Sequence, residues 1–449
     1  MAKLRKVASI SDMPLPMAKE SGPWRSYKEK LAALAQRVVE AQRPIRILNA
    51  LKWPADTFEK FRATKFREMP LIAPDHYESI GLGFDPRAKM DEFLAIATDI
   101  DHELGADDAV GRVLKVTCQE YISVVRMLEA RGQKRFYEVS RQLYGTPKDV
   151  LEDDVTRIRD VAFDFYEILT HLTDEVLGPQ PVRNIPAEQA VQILNERLNS
   201  FFVDDPIRVA IDDGIVADAA AGSDYVKVRQ GAVFSERDIN ILEVHEGWVH
   251  VATSMNGQKQ PVARWLAKGP PRTAATQEGL AALLEILTLR TYPSRARRLN
   301  DRVLAVDKAE DGASFLDVLE WFRTEGYDEE TCFWNTQRVF RGGTLDGGAP
   351  FTKDIVYIRG LVSNYNFLRS AIQAGRADLI PWLFAGKLAL EDVPLLAARA
   401  LDGVVRPPAY MPPMFRDASG LSIWFAISSF WGRLKNTAMQ ANYERMFRL

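Results

Sequence analysis

Histidine is scarce in this chain, with five residues in 449, and there are only two cysteines, Cys118 and Cys332. Two distant thiols without ligand spacing exclude a disulfide framework and a cysteine metal site, and they make a reducing compartment the default. No stretch approaches the ~20 apolar residues that a membrane span requires; the most apolar late stretch, Leu421 to Trp431, falls well short. An excess of one charge is also missing. Lys and Arg number 58 against 61 Asp and Glu, giving a net charge of −3 and a pI near 6.1, which argues against a dedicated nucleic-acid binder. Met1 to Lys6 is basic, but no apolar core follows, so it does not read as a secretory signal. Repeats and low-complexity segments are absent. What remains, at 47% apolar and 10% aromatic residues, is a globular chain long enough for one large or two moderate domains. It is expected to be cytoplasmic and soluble, with neither nucleic acid nor membrane as partner.

Against this scarcity, two of the five histidines fall in Val244-His245-Glu246-Gly247-Trp248-Val249-His250. Two neutral imidazoles and an adjacent carboxylate are what a zinc hydrolase needs: ligands for the metal, and a base for the water it activates. The spacing poses a problem. Residues four apart on a helix of 3.6 residues per turn lie about 40° from eclipsed, whereas residues five apart lie about 140° apart. A regular helix cannot offer both rings to one ion. One extra residue taken up as a π-bulge would bring them together, and Gly247 is placed to absorb the distortion. A widened turn between His245 and His250 is therefore expected. The bland alternative is a surface Glu-His cluster on an ordinary helix.

A third protein ligand should come from elsewhere. The candidate is Glu278, in Ala275-Thr276-Gln277-Glu278-Gly279-Leu280-Ala281-Ala282-Leu283-Leu284-Glu285. Thr273 or Thr276 can cap this helix, and Leu280, Leu283, Leu284 and Leu287 form its apolar stripe. A carboxylate in the first turn also suits the helix dipole, which would account for Glu278 without a metal.

His245-Glu-x-x-x-His250 followed by Gln277-Glu278-Gly279-Leu280-Ala281 resembles the family named for its QEGLA motif. Its bacterial members are called flavohemoglobin expression-modulating proteins, and its animal relatives include the microtubule-associated tyrosine carboxypeptidases. The resemblance continues through Arg338-Val-Phe-Arg341-Gly342-Gly343 and Phe351-Thr352-Lys353-Asp354-Ile-Val-Tyr357-Ile-Arg-Gly360, and spans about Tyr27 to about Ile427. It implies zinc held by His245, His250 and Glu278, with Glu246 as catalytic base; all four positions match. The tubulin tail is the target of the animal enzymes, and nothing in this sequence marks a tubulin-binding surface.

Along the chain, residues 1–24 read as an irregular tail, 25–180 as an N-terminal helical region and 181–449 as the catalytic region, which can form one compact unit with the helices before it. Helices are expected from Trp24, then over 55–64, 88–104, 107–131, 133–144 and 150–176, with Asp85 and Asp107 as caps. The 107–131 helix is apolar nearly all round and should be central. His102 reads as a solvated helix end and His171 as a core or interface residue. After a helix from Ile185, short strands are expected at Ile207–Ile211 and Tyr225–Arg229 with Asp212-Asp213-Gly214 between them. The histidine helix should run from Glu236 to Met255 and stop at Asn256-Gly257. Further helices follow over 294–308, 313–325, 328–340, 352–372, 376–386 and 390–402, and from Gly420 to about Arg433. The expected fold is mainly α (α+β): a helical, gluzincin-like metallopeptidase with a small β-sheet next to the HExxxH helix. In thermolysin-type peptidases such a sheet lies above the metal, and its edge strand can pair with an extended substrate.

A carboxypeptidase must bind a free carboxylate and stabilise an oxyanion. Lys353 and Arg341 are assigned to the carboxylate and Tyr357 to the oxyanion, with Arg341-Gly342-Gly343 read as a flexible loop. Arg290, Arg295, Arg297, Arg298 and Arg302 form a basic run able to draw an acidic tail, though such runs are more often a wet helix face. The expected function is a zinc-dependent carboxypeptidase that removes a C-terminal residue, with tyrosine or another aromatic as first candidate, from a peptide or protein. The alternatives are a regulatory protein that keeps the metal site, and a zinc hydrolase of non-peptide amides.

Overall fold

Helices dominate the computed structural model, which describes residues 22–72, 74–213, 215, 217–431, 439, 440, 443, 445 and 446. The expected tail lies outside these up to residue 21, while Gly22 and Pro23 already belong to the first helix. The N-terminal part contains α1 (Gly22–Gln42), α2 (Pro86–Leu104), α3 (Ala109–Glu129), α4 (Lys134–Tyr144) and α5 (Ile158–Thr170). Local chemistry sets their starts. Asp85 accepts from the Ala88 amide at 2.7 Å ahead of Pro86, and Asp108 accepts from the Gly111 amide at 2.6 Å. Asp108 rather than Asp107 is the cap, because it stands three residues before a free amide of the first turn. As its apolar run predicts, α3 is central, with Leu114, Cys118, Val124, Val125 and Leu128 fully enclosed. Both cysteines are buried and free.

The single helix expected over 150–176 is broken. Asp153 accepts from the amides of Val155 and Thr156 and from the Thr156 hydroxyl, a local turn that competes with helix. So α5 begins only at Ile158 and ends at Thr170. His171 follows it, beyond the buried stripe of Ile158, Ala162 and Leu169, and is exposed rather than in the core. His102 ends α2 in solvent, as expected.

The middle of the chain builds two small sheets. A two-stranded one pairs β1 (Ile185–Pro186) with β5 (Val233–Phe234) on either side of α6 (Ala187–Phe201). In the other, β2 (Arg208–Asp212) runs parallel to β4 (Tyr225–Arg229), and β3 (Ala219–Ala221) pairs with β4 antiparallel on the far edge. The strand β3 has no counterpart in the sequence reading: Ala219-Ala220-Ala221 carries no strand preference, and pairing with β4 makes it a strand. Val226 and Val228 point inward from β4 onto Leu194 and Leu198 of α6. Next come α7 (Glu236–Leu242), a widened segment Glu243–Val251 and α8 (Ala252–Gln258). Ser235 and Asp238 start this helix with a reciprocal capping box.

Asn256-Gly257 does not stop the helix. The Asn256 side chain donates to the carbonyls of Phe384 and Tyr410 at 2.7 Å each and accepts from the Tyr410 amide at 2.9 Å. Gly257 lets the backbone of Leu266 approach, since a Cβ there would lie 2.2 Å from its carbonyl oxygen.

The C-terminal half adds α9 (Thr273–Leu287), α10 (Pro293–Glu310), α11 (Phe315–Thr324), α12 (Glu329–Phe340), α13 (Val356–Gln373), α14 (Val393–Ala400) and α15 (Ala418–Trp431). Neither Thr273 nor Thr276 caps α9: Thr273 bonds the Pro270 carbonyl and Thr276 is buried inside the helix. Residues 377–384 form a 3₁₀ turn rather than an α-helix, since Pro381 lacks an amide hydrogen. Of the helix expected to about Arg433, residues 432 and 433 lie outside those described. One apolar cluster joins Leu31, Leu114 and Val125 to Leu280, Leu284, Leu368 and Phe425. Among the described residues no helix is long and apolar enough to cross a membrane.

Within this cluster α9 and α13 cross backbone to backbone. A Cβ on Gly279 would lie 1.9 Å from the Gly360 carbonyl carbon, and one on Gly360 would lie 1.9 Å from the Ala275 carbonyl oxygen. The motif glycine thus seats the helix that carries Glu278 against the helix that carries Tyr357. Gly279→Ala is expected to lower stability by about 1–3 kcal/mol through overpacking and to weaken metal retention as α9 moves; urea unfolding and metal titration check both.

Candidate metal centre and its cavity

From Glu243 to Val251 the helix is π-helical, and the Ala252 amide reaches back five residues to the Gly247 carbonyl. The widened turn expected from the five-residue spacing is present, and it brings His245 and His250 onto one side with ring centroids 4.9 Å apart. Gly247 lies inside the widened turn, as expected, and a close contact gives a second reason for glycine there. A Cβ at this position would lie 2.2 Å from Leu198 Cδ2, so the glycine stands where α6 presses onto the turn.

Glu278, near the start of α9, completes the group. Its Oε2 lies 3.4 Å from His245 Nε2 and 3.6 Å from His250 Nε2, and the three ligand atoms all fall within 4.8 Å of one another. Two donors at about 2.1 Å from a tetrahedral ion lie about 3.4 Å apart, so the set fits one cation. The surroundings fit as well. His245 Nδ1 bonds Glu285 Oε1 at 2.7 Å, which leaves Nε2 to offer a lone pair toward Glu278. Arg295 holds Glu285 with two bonds of 2.8 and 3.2 Å. Burial by itself would raise the Glu285 carboxyl, but Arg295 and His245 outweigh it and bring it down to about 2. Burial acts the same way on Glu278, and Lys353 with the two imidazoles holds that carboxyl well below the usual range. Burial would lower His245, yet its bonds to Glu278 and Glu285 raise it to about 9, so a cation at Nε2 competes with a proton.

The site opens into a cavity of about 1080 Å³. Glu246 lies on its wall, with Oε2 accepting from the Ala221 amide of the edge strand β3 at 2.8 Å. Among the described residues its Oε1 has no partner. Tyr357 is 8% exposed and faces the same space; burial, reinforced by the Glu278 charge, pushes its phenol up and keeps it protonated. Lys353 Nζ sits 3.7 Å from Glu278 Oε1, so its charge is shared with a member of the triad. Arg341 also lines the cavity, with its guanidinium 5.7 Å from the Phe351 ring centroid, and burial lowers it to about 10.

Two sequence readings need correction. Arg341-Gly342-Gly343 is a fixed turn, not a flexible loop: the Gly342 amide donates to Tyr77 Oη at 2.7 Å, its carbonyl accepts from Gly132, and its φ of 82° suits only glycine. The basic run is not one wet face either. Arg295, Arg298 and Arg302 fall at i, i+3 and i+7 on α10 and line the cavity, while Arg297 turns away to Glu325 and Asp301. Arg290 pairs with Glu243 and covers Trp248.

Several residues of the site were not singled out from sequence. Glu285 stands seven residues after Glu278 on the same face of α9, the one charge in an apolar stretch, which is the signal that could have found it. Lys387 donates to Gln277 Oε1 at 3.2 Å, and burial lowers it to about 8; nothing in its own sequence neighbourhood points to the site. Arg338 grips Asp354 with two bonds of 2.8 Å, tying together two segments of the resemblance.

A family model described as microtubule-associated tyrosine carboxypeptidase matches residues 59–433. A search of curated proteins returns no match.

Glu285→Ala removes the partner that orients His245. Metal affinity is expected to fall about 10- to 100-fold while the helical fold persists, which chelator competition alongside circular dichroism will check.

Proposed function

Because the chain belongs to the microtubule-associated tyrosine carboxypeptidase family, we propose that it is a zinc-dependent carboxypeptidase removing a C-terminal residue, tyrosine by the family's name, from a peptide or protein. The observation that carries this reading is the convergence of His245, His250 and Glu278 in a basic cavity, with the Glu246 carboxylate on its wall. Two imidazoles and a carboxylate suit zinc, which when bound supplies Lewis acidity and brings the pKa of water it holds towards ~7.

The chain's own groups supply the remaining chemistry. Glu246, anchored by the Ala221 amide through Oε2, keeps Oε1 for taking the proton of the attacking water and returning it to the leaving amine. The protonated Tyr357 hydroxyl is a donor for the oxyanion. Strand β3, at the sheet edge beside Glu246, offers backbone groups to an extended substrate. Lys353 and Arg341 contribute positive charge for the terminal carboxylate. All of these side chains come from the 181–449 region, which we take as the catalytic part, backed by the N-terminal helices.

Glu246→Gln is expected to keep the metal and lower kcat by about 10²- to 10⁴-fold on a tyrosine-ending peptide. Metal analysis with a peptide digest tests this, and unchanged turnover would reject the assignment. Exhaustive chelation should abolish cleavage by the parent protein, and added zinc should restore it.

A further inference from the structure

Away from the cavity, α15 (Ala418–Trp431) runs 14 residues without a single charge. A period of 3.6 residues divides its side chains into two sides. Leu421, Phe425 and Ser429 recur every four residues and are buried. They face α13, where the Phe425 ring centroid lies 5.4 Å from that of Tyr365 and the Tyr365 hydroxyl meets Ser428 at 3.1 Å. Ile423, Trp424, Ile427, Phe430 and Trp431 fall on the opposite side and are 41–61% exposed. A helix on a water-facing surface puts polar and charged residues there. In α15 the outer side carries the larger apolar side chains, so its pattern is written for a second apolar surface beyond the core.

Size and charge say what that surface is. The five outer side chains offer roughly 500 Å², short of the ~800 Å² that each partner gives to a stable protein interface. A second copy docked on this side alone would be held weakly. A bilayer needs no matching contour: Trp and Phe rings seat where headgroups meet acyl chains. Fourteen residues are too few for the ~20 of a span, so the helix can lie on a bilayer but not cross it. Charge favours the same cover. The whole chain carries −3, yet residues 432–449 bring Arg433, Lys435, Arg445 and Arg448 against Glu444 alone. Basic residues beside an apolar helix are drawn to anionic headgroups, at about 1 kcal/mol for each one near the surface. We propose that α15 docks the protein peripherally on an anionic lipid surface, with Trp424, Phe430 and Trp431 as its anchors. This docking departs from the expectation of no membrane partner, which rested on the lack of a run long enough to span. It holds whether or not the metal centre cleaves peptides.

Flotation of the full chain with vesicles tests this. Vesicles of phosphatidylglycerol and phosphatidylcholine in equal parts should carry the protein, and phosphatidylcholine alone should carry it about 10-fold less well. Added salt should weaken the binding. Phe430→Ser and Trp431→Ser should each lower the partition coefficient about 10-fold, with circular dichroism unchanged because both side chains stand clear of the core. A second readout locates the contact. An environment-sensitive fluorophore on Ile427→Cys should shift to the blue on adding the mixed vesicles, whereas the same label on Ile168→Cys, exposed on α5, should not move. Both native cysteines are buried, so the label goes to the new thiol. Absence of flotation, equal binding to both vesicle types, or variants that bind like the parent would overturn the docking. So would a label at position 427 that already reports an apolar setting without lipid. If that signal grew with protein concentration, the cover would be a second copy; if it did not, the cover would be a segment of this chain.

Discussion

A helix of 3.6 residues per turn sends side chains five apart toward nearly opposite sides, and the site exists because this helix departs from that geometry between Glu243 and Val251. Widening the turn strains its hydrogen bonds, and such a turn persists where packing fixes it. Here Val244, Val249 and Val251 are fully buried on it, Leu198 presses on Gly247, and Ser235 with Asp238 secures the start of the helix. The convergence of His245 and His250 is thus a property of the packed molecule.

The second element of the site, Glu278, is delivered by a helix crossing that tolerates no side chain. Gly279 and Gly360 meet at the contact of α9 with α13, so the two helices that carry Glu278 and Tyr357 have one relative position. The short segment between α12 and α13 is tied at both ends, by Arg338 to Asp354 and by the Phe351 amide to the Val339 carbonyl at 2.7 Å. The sequence blocks that carry the resemblance are therefore in direct contact with one another.

Electrostatics follow a similar logic. Buried charges next to the metal donors are mostly neutralised in pairs and chains: Arg295 to Glu285 to His245, and Lys353 to Glu278. A chain of this kind fixes the tautomer and orientation of His245, which a lone imidazole would not hold. Elsewhere on the wall Arg183 pairs with Asp238 and Arg229 with Asp218, while Arg298 and Arg302 make no ion pair among the described residues.

Local signals sufficed for much of this. Asp85 beside Pro86, the unbroken apolar run of α3 and the histidine spacing each rest on neighbouring residues, whose side chains act on their own backbone. On that footing the helical character, the widened turn and the triad were legible, because periodicity and ligand chemistry are written into the chain at short range. Folding alone decided the rest. It made a strand of three alanines, exposed His171, held Arg341-Gly342-Gly343 rigid, set Glu285 behind His245 and turned three of five arginines inward. Each of those outcomes depends on a partner far away in sequence, and a contact of that kind has no local trace until the two segments are packed together.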